Sequence, residues 1–357
     1  MSIRVVQWGV GNVGKEALEA VVRNPSTELV GAWRHSSNNA GLDIGETLGL
    51  GGIGVSATSS IDDIVALDAD CVLYMPRLSS VDEICQMLAS GKNVVATPFA
   101  FYAESWPAAE RERVLEACNR GNSTLYGTGI NPGFAGMVQP VALSGMSKRI
   151  DKVTIFERAN WSYYNNASIT FDCMHFGHSE EEALLENNEF ARFNSGIFSE
   201  QVYMLAAAWN LTLDELRVVQ ELVTTDHEFS IMTGTVPVGT VSGQRYRWQG
   251  IVSGKVLIEI DALWNIGEDY PPHWPTPEDG WTVRIDGSPT VQSHMVCCAS
   301  LDPESDASLE DHVHATEVAT AMMAVNSITA VCAAPPGITS AYELTMARPE
   351  AAFSCQQ

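Results

Sequence analysis

Gly9-Val10-Gly11-Asn12-Val13-Gly14 spells G-x-G-x-x-G, a string that can serve an ordinary turn or cradle a phosphate. Its flanks decide between the two. Ile3 to Trp8 is a short apolar run of the kind that forms a strand buried on both faces, and Val13, Ala17, Leu18, Val21 and Val22 then recur at helical spacing. Between strand and helix, Gly9 permits a tight turn, Gly11 lets a pyrophosphate approach the backbone, and Gly14 lets the helix pack on the strand. Asn12 and Val13 open the helix, whose unpaired N–H groups and partial positive charge suit phosphates. A dinucleotide site is expected.

About twenty residues further on, an enzyme preferring NAD(H) would place an acid against the ribose 2′-hydroxyl. This chain has Trp33-Arg34-His35-Ser36-Ser37 instead. Arg34 can stack on adenine and, with Ser36 or Ser37, hold a 2′-phosphate through charge-assisted hydrogen bonds. Arg34, His35 and Ser36 are therefore assigned to the cofactor, with NADP(H) expected in preference to NAD(H), which stays available. The plain alternative is that Arg34 is a surface charge.

The elements that must position these residues follow from the same pattern. Asn24-Pro25 stops the first helix, and Thr27 to Trp33 reads as the next strand, which completes a β-α-β unit. Cys71 to Met75, Asn93 to Thr97 and Thr124 to Gly127 are further strands, separated by helices near Val81 to Ala89 and Ala108 to Asn119. The alternation predicts a doubly wound parallel sheet, a Rossmann domain, over residues 1–137. After Gly133 long β-rich runs take over: Lys152 to Glu157, Glu221 to Ile231, Thr240 to Ile251, Lys255 to Trp264, Thr282 to Asp286 and Thr290 to Cys297. They predict an α+β domain over 138–312 with a mainly antiparallel sheet. Pro271 to Pro277 is too proline-rich for helix or ladder and reads as an exposed, stiff loop. A helical run from Glu317 to Cys332 lies in a last segment, 313–357.

Composition narrows the class. Among 357 residues, 20 Lys and Arg face 44 Asp and Glu, a net charge of −24 that repels nucleic-acid backbones and anionic lipid heads. No nucleic-acid or membrane partner is expected. Val318 to Ala334 is weakly polar but broken by Thr320, Asn326, Ser327 and Thr329, as suits a buried helix. No basic, cleavable export segment is seen at the start, and the eight scattered cysteines form no C-x-x-C pair, so reduced thiols and a cytoplasmic location are expected. Asp172, Cys173, His175, His178 and the His312-x-His314 pair supply no tetrahedral ligand set, and no metal is expected.

Four stretches together carry a family resemblance: Gln7 to Gly14, Ser90 to Val95, Gly127-Thr128-Gly129-Ile130-Asn131-Pro132-Gly133-Phe134, and Ala333 to Ile338. The chain resembles the dihydrodipicolinate-reductase-like proteins, in the branch of 2,4-diaminopentanoate dehydrogenase and the native amine dehydrogenases. The resemblance implies a Rossmann domain, an α+β domain for substrate and dimerisation, and a late helix returning to the first domain. It also implies NAD(P)-dependent interconversion of an amine with a ketone plus ammonia. Asn131 and Pro132 would lie beside the nicotinamide, facing the loops after Met75 and Thr97, with Pro76 in the first of these.

One departure bears on the chemistry. Members that deaminate amines resemble one another in a glutamate shortly after the Asn-Val-Val strand, and alignment by eye places Ala100 there, with Glu104 about one turn later. Alanine transfers no proton. His175, Tyr102 and Glu104 are the candidate replacements, an imidazole or a phenol being able to protonate the atom that receives the hydride. Phe134, Trp161, Tyr163 and Tyr164 would wall an apolar pocket for a small carbonyl, imine or amine. The rival is a catalytically silent NADP(H)-binding redox sensor.

Overall fold

Ile3–Trp8 (β1) is buried from Val5 onward, and Asn12–Arg23 (α1) follows it across the glycine turn. The computed structural model describes residues 2–35, 41–267, 270–275, 278–344 and 346–349. They divide into two compact units, Met1–Phe134 with Thr316–Gln357, and Ala135–Ala315.

In the first unit, α1 leads to Thr27–Trp33 (β2), then Ile44–Leu48 (α2), Ala57–Thr58 (β3) and Ile61–Ala66 (α3). Cys71–Tyr74 (β4), Val81–Ala89 (α4), Asn93–Ala96 (β5), Ala108–Gly121 (α5) and Thr124–Gly127 (β6) continue the alternation. Helix starts are written locally: Ser60 and Ser80 each accept a backbone N–H three residues on, with acids in both first turns.

Each sheet face packs an apolar layer, as a doubly wound sheet requires. One layer holds Val5, Leu18, Val21, Leu73 and Val95, and the other Val6, Ile64, Val72, Ile84, Met87 and Val94. Cys71, Cys118 and Cys173 are buried, the other described cysteines half-buried, and none of these is bridged.

The second unit opens with Gln139–Ser144 (α6) and the long strand Arg149–Asn160 (β7). Glu180–Ala183 (α7), closed by a Ser179/Glu182 capping box, precedes Glu189–Ala208 (α8). The strands Glu215–Thr224 (β8), Phe229–Ile231 (β9), Gly234–Val236 (β10), Val241–Val252 (β11), Lys255–Asn265 (β12), Gly280–Ser288 (β13) and Val291–Met295 (β14) follow.

Six of these strands form one sheet in the order β14-β13-β7-β12-β11-β8, while β9 and β10 pair separately. The sheet is mixed, because β7 and β12 run parallel. Helix α8 covers one face, Phe198 stacking on Trp248 at 4.4 Å while Ser195 Oγ accepts from Trp248 Nε1 at 2.9 Å. The opposite face carries paired charges: Arg245 grips Asp261 through Nε at 2.8 Å and Nη2 at 2.7 Å. Lys152 and Gln249 meet there on Glu259.

The chain then returns to the first unit through Leu309–Val325 (α9), Ile328–Cys332 (α10) and Gly337–Thr339 (β15). β15 completes a parallel seven-stranded sheet, β15-β6-β5-β4-β1-β2-β3. Leu309–Cys332 is long and apolar enough to cross a membrane by length and composition, and its Ala321, Ala324, Val325, Ile328 and Val331 are buried in the first unit's core.

Several sequence expectations are corrected here. Glu221 to Ile231 is two strands, because Thr225 to Glu228 turns with Thr225 Oγ1 bonded to the His227 carbonyl. Glu317 to Cys332 is two helices broken at Asn326-Ser327, and the first begins at Leu309, with the Ser308 hydroxyl accepting from the Asp311 N–H. The proline-rich loop is not wholly exposed: Trp274 is buried and donates Nε1 to Glu221 at 2.8 Å. Thr276 and Pro277 lie outside the described residues.

Candidate functional site: a dinucleotide cradle and a second-unit aromatic edge

The reversal of strand order between β1 and β4 marks where an open parallel sheet takes its ligand, outside the strands' carboxyl ends. Gly9, Arg34, Met75, Thr97 and Thr128 each follow directly on one of those ends. Their main-chain N–H groups extend the ladder: Gly9 to Trp33 O at 3.0 Å, Arg34 to Thr58 O at 2.9 Å, Met75 to Trp8 O at 2.8 Å, Thr97 to Tyr74 O at 3.2 Å and Thr128 to Ala96 O at 2.9 Å. The loops after five strands are thereby held in one row.

The three glycines differ in what requires them. Gly9 has φ +86°, and a Cβ there would lie 2.6 Å from the Met75 carbonyl oxygen. A Cβ on Gly14 would lie 2.1 Å from the Gly9 carbonyl oxygen. Both are needed by the fold itself. Gly11 has φ −71°, open to any residue, and a Cβ there would meet nothing within 4 Å. Space in front of Gly11 therefore serves no internal contact. Gly11 is also the N-cap of α1 and provides no side-chain cap, an arrangement that suits an anion at the helix amino end. A dinucleotide's diphosphate fits these residues.

At the far end of the cradle, Arg34 Nη1 donates to Thr47 Oγ1 at 3.1 Å. Thr47 is in turn fixed by α2, whose N-cap Asp43 accepts from the N–H groups of Gly45, Glu46, Ile53 and Gly54. Burial raises the Asp43 carboxyl's pKa, but these four donors outweigh it and hold the group below its ordinary value. Sequence reasoning missed Thr47; its signal was the Asp43 cap that builds the short helix beside Arg34. His35 lies 6.2 Å from the Trp33 ring. Ser36 lies outside the described residues. Val13 and Met75 turn their side chains into the core, leaving their backbone for the cradle. Pro76, Asn131 and Phe134 are half-buried and Pro132 is buried.

Among the proton-transfer candidates, Tyr102 and Glu104 follow β5. Burial first, then the neighbouring Tyr342, Glu104 and Glu343, push the Tyr102 phenol up to about 12. Glu104 is exposed and paired with Arg111. Ala100 is fully buried in the core with φ +72°, among Val94, Ala96 and Val114. A carboxylate on residue 100 would therefore lie among apolar side chains.

His175 belongs to the second unit. Its Nδ1 lies 2.8 Å from the Glu182 carbonyl oxygen, which can only accept, so Nδ1 carries the proton and Nε2 of the neutral ring is an acceptor. The ring stacks on His178 at 4.8 Å. Trp161 and Tyr164 meet edge to face at 5.0 Å, and Tyr163 is exposed. Exposed Met232, whose N–H donates to the Ser162 carbonyl at 3.2 Å, joins this edge from the β9–β10 hairpin. Sequence reasoning did not single out Met232.

Residues 138–354 match the 2,4-diaminopentanoate dehydrogenase C-terminal domain family, over more than half the chain. The chain belongs to that family. Residues 3–100 match the dihydrodipicolinate reductase N-terminus. An amine dehydrogenase of Streptomyces virginiae is 28% identical over 305 residues, covering 81% of this chain and 84% of that protein. In three dimensions the chain is similar to the amine dehydrogenase of Mycobacterium smegmatis, with a TM-score of 0.75 at 19% identity over 98% of each chain. It is also similar to myo-inositol 2-dehydrogenase of Lactobacillus plantarum, with a TM-score of 0.56 at 10% identity, covering 96% of this chain and 94% of the other. Both likenesses concern the fold. As a member of a dehydrogenase family with a Rossmann unit, the chain is an oxidoreductase that binds NAD(P)(H).

Proposed function

We propose that the chain uses NADP(H), in preference to NAD(H), to interconvert a small, largely apolar carbonyl or imine with the corresponding alcohol or amine. The observation that carries the cofactor preference is Arg34, placed at the carboxyl end of β2 and steadied by Thr47 where an acid would select NAD(H). Family membership and the amine dehydrogenase of Streptomyces virginiae support the chemistry.

A bound nicotinamide supplies the hydride. The chain's own residues bind, orient and move one proton. Gly9, Gly11, Asn12 and Gly14 hold the diphosphate end, Arg34 the ribose phosphate, and the loops carrying Met75, Pro76, Thr97, Asn131 and Pro132 the nicotinamide end. Tyr102 is assigned as the proton donor because it follows β5 and carries its proton through the neutral range; burial, which pushes its phenol up to about 12, makes it a weak acid and the proton step slow. His175 suits this role less, since its one ring proton in the neutral form is given to the Glu182 carbonyl. On the second unit, Trp161, Tyr163, Tyr164 and Met232 are the apolar side chains offered to a substrate.

The second unit's broad sheet supports a homodimer, which sedimentation at micromolar concentration tests. A single species of 38.7 kDa would count against it. The described cysteines, none of them bridged, agree with a cytoplasmic location.

The deciding assay follows NADPH oxidation with short ketones and aldehydes, with and without ammonium. Turnover that needs ammonium identifies an amine-forming enzyme, and turnover without it a carbonyl reductase. Binding of NADPH with no turnover of any carbonyl would favour a silent sensor.

A further inference from the structure

The amino end of α1 has no side-chain cap and no acid in its first turn, yet one carboxylate does reach it. Asn12 Nδ2 donates to Glu317 Oε1 at 2.7 Å, across 305 residues of sequence, with both side chains near solvent. Glu317 projects from α9, just inside the first unit. A negative side chain at a helix amino end is stabilising in the absence of ligand, and this one is bonded to the residue next to Gly11, at the end of the helix that favours a bound diphosphate.

We infer that Glu317 is a charge gate on the cofactor: it occupies the Asn12 amide and opposes a diphosphate on the glycine loop, setting affinity below what the loop alone would give. This rests on the dinucleotide reading of residues 9–14. Two physical effects act together. The carboxylate repels the diphosphate through space, and it withdraws a donor that could otherwise bond a phosphate oxygen. A dehydrogenase must release its cofactor in each cycle, and an affinity held down in this way favours exchange.

The test is NADPH titration, read by cofactor fluorescence, on wild type, Glu317→Gln, Glu317→Ala and Asn12→Ala/Glu317→Ala. Glu317→Gln removes charge but keeps an acceptor for Asn12; Glu317→Ala removes both. NADPH should bind about fivefold more tightly to Glu317→Ala at low salt, with Glu317→Gln between it and wild type and the gain shrinking as salt screens the charge. The double variant should lose part of the gain, because the freed amide is then absent. Unchanged or weaker NADPH binding in both single variants, with melting temperatures like wild type, overturns the gate. Failure of every protein, wild type included, to bind NADPH or NADH would instead overturn the dinucleotide reading and the gate with it.

Discussion

The two units carry their candidate functional residues in opposite ways. In the first, the candidate cradle is made mostly of backbone: glycine positions, strand ends and a helix amino end. In the second, the candidates are side chains, several already engaged with a neighbour, as His175 is with Glu182 and Trp161 with Tyr164. Backbone sites leave a local sequence signature because they need glycine at fixed offsets. Side-chain sites leave only residue types, and the same types serve packing.

This contrast can be broken most severely at Gly14. Gly14→Ala puts a methyl against the Gly9 carbonyl, and overpacking of rigid backbone should cost about 3 kcal/mol, seen as a lower unfolding midpoint and loss of cofactor binding together. Ala100→Glu should do comparable damage without touching the cradle. It buries a carboxylate with no partner in view, at a cost of several kcal/mol, and should lower the melting temperature rather than create amine chemistry.

Arg34→Ala comes next. Removing a guanidinium from a ribose phosphate should cost about 1.5–3 kcal/mol, roughly ten- to a hundredfold in NADPH affinity, and leave NADH almost unchanged. Equal loss for both cofactors would show that Arg34 does not read the 2′ position.

On the second unit, acid provides a gentler probe. Burial raises the pKa of Glu221, but bonds from Trp274 and His273 and the charges of Arg247 and Arg245 outweigh it and leave the carboxyl below its ordinary value. A depressed carboxyl stabilises the fold fully above the ordinary value of 4.5, and that contribution is lost as pH falls through the folded-state value. Glu221→Gln should therefore lower the melting temperature by a few degrees at pH 7 and by less at pH 3.5. An equal drop at both pH values would assign the loss to packing.

Legibility followed the same division. β1, β2, β6 and α4 lie where the sequence places them, because short apolar runs between turn signals and Ser caps define them locally. Helix α8 was not anticipated: Gly196, Asn194 and Ser199 blur its periodicity, and packing of Phe198, Val202 and Leu205 against the sheet holds it in place. The parallel pairing of β7 with β12 is a long-range choice with no local mark. Arg34 was legible as a cation replacing an acid, while Thr47 was not, since only the Asp43-capped turn brings it to the guanidinium.

Gly11→Val tests the central claim most directly, because this glycine alone of the three serves no internal contact. NADPH titration followed by fluorescence, with melting measured on the same samples, separates ligand from fold. A backbone cradle for the diphosphate predicts saturable binding in wild type and loss of binding in Gly11→Val, with the melting temperature lowered by no more than the few degrees that replacing an N-cap glycine by valine costs. Wild-type affinity retained in Gly11→Val would contradict it.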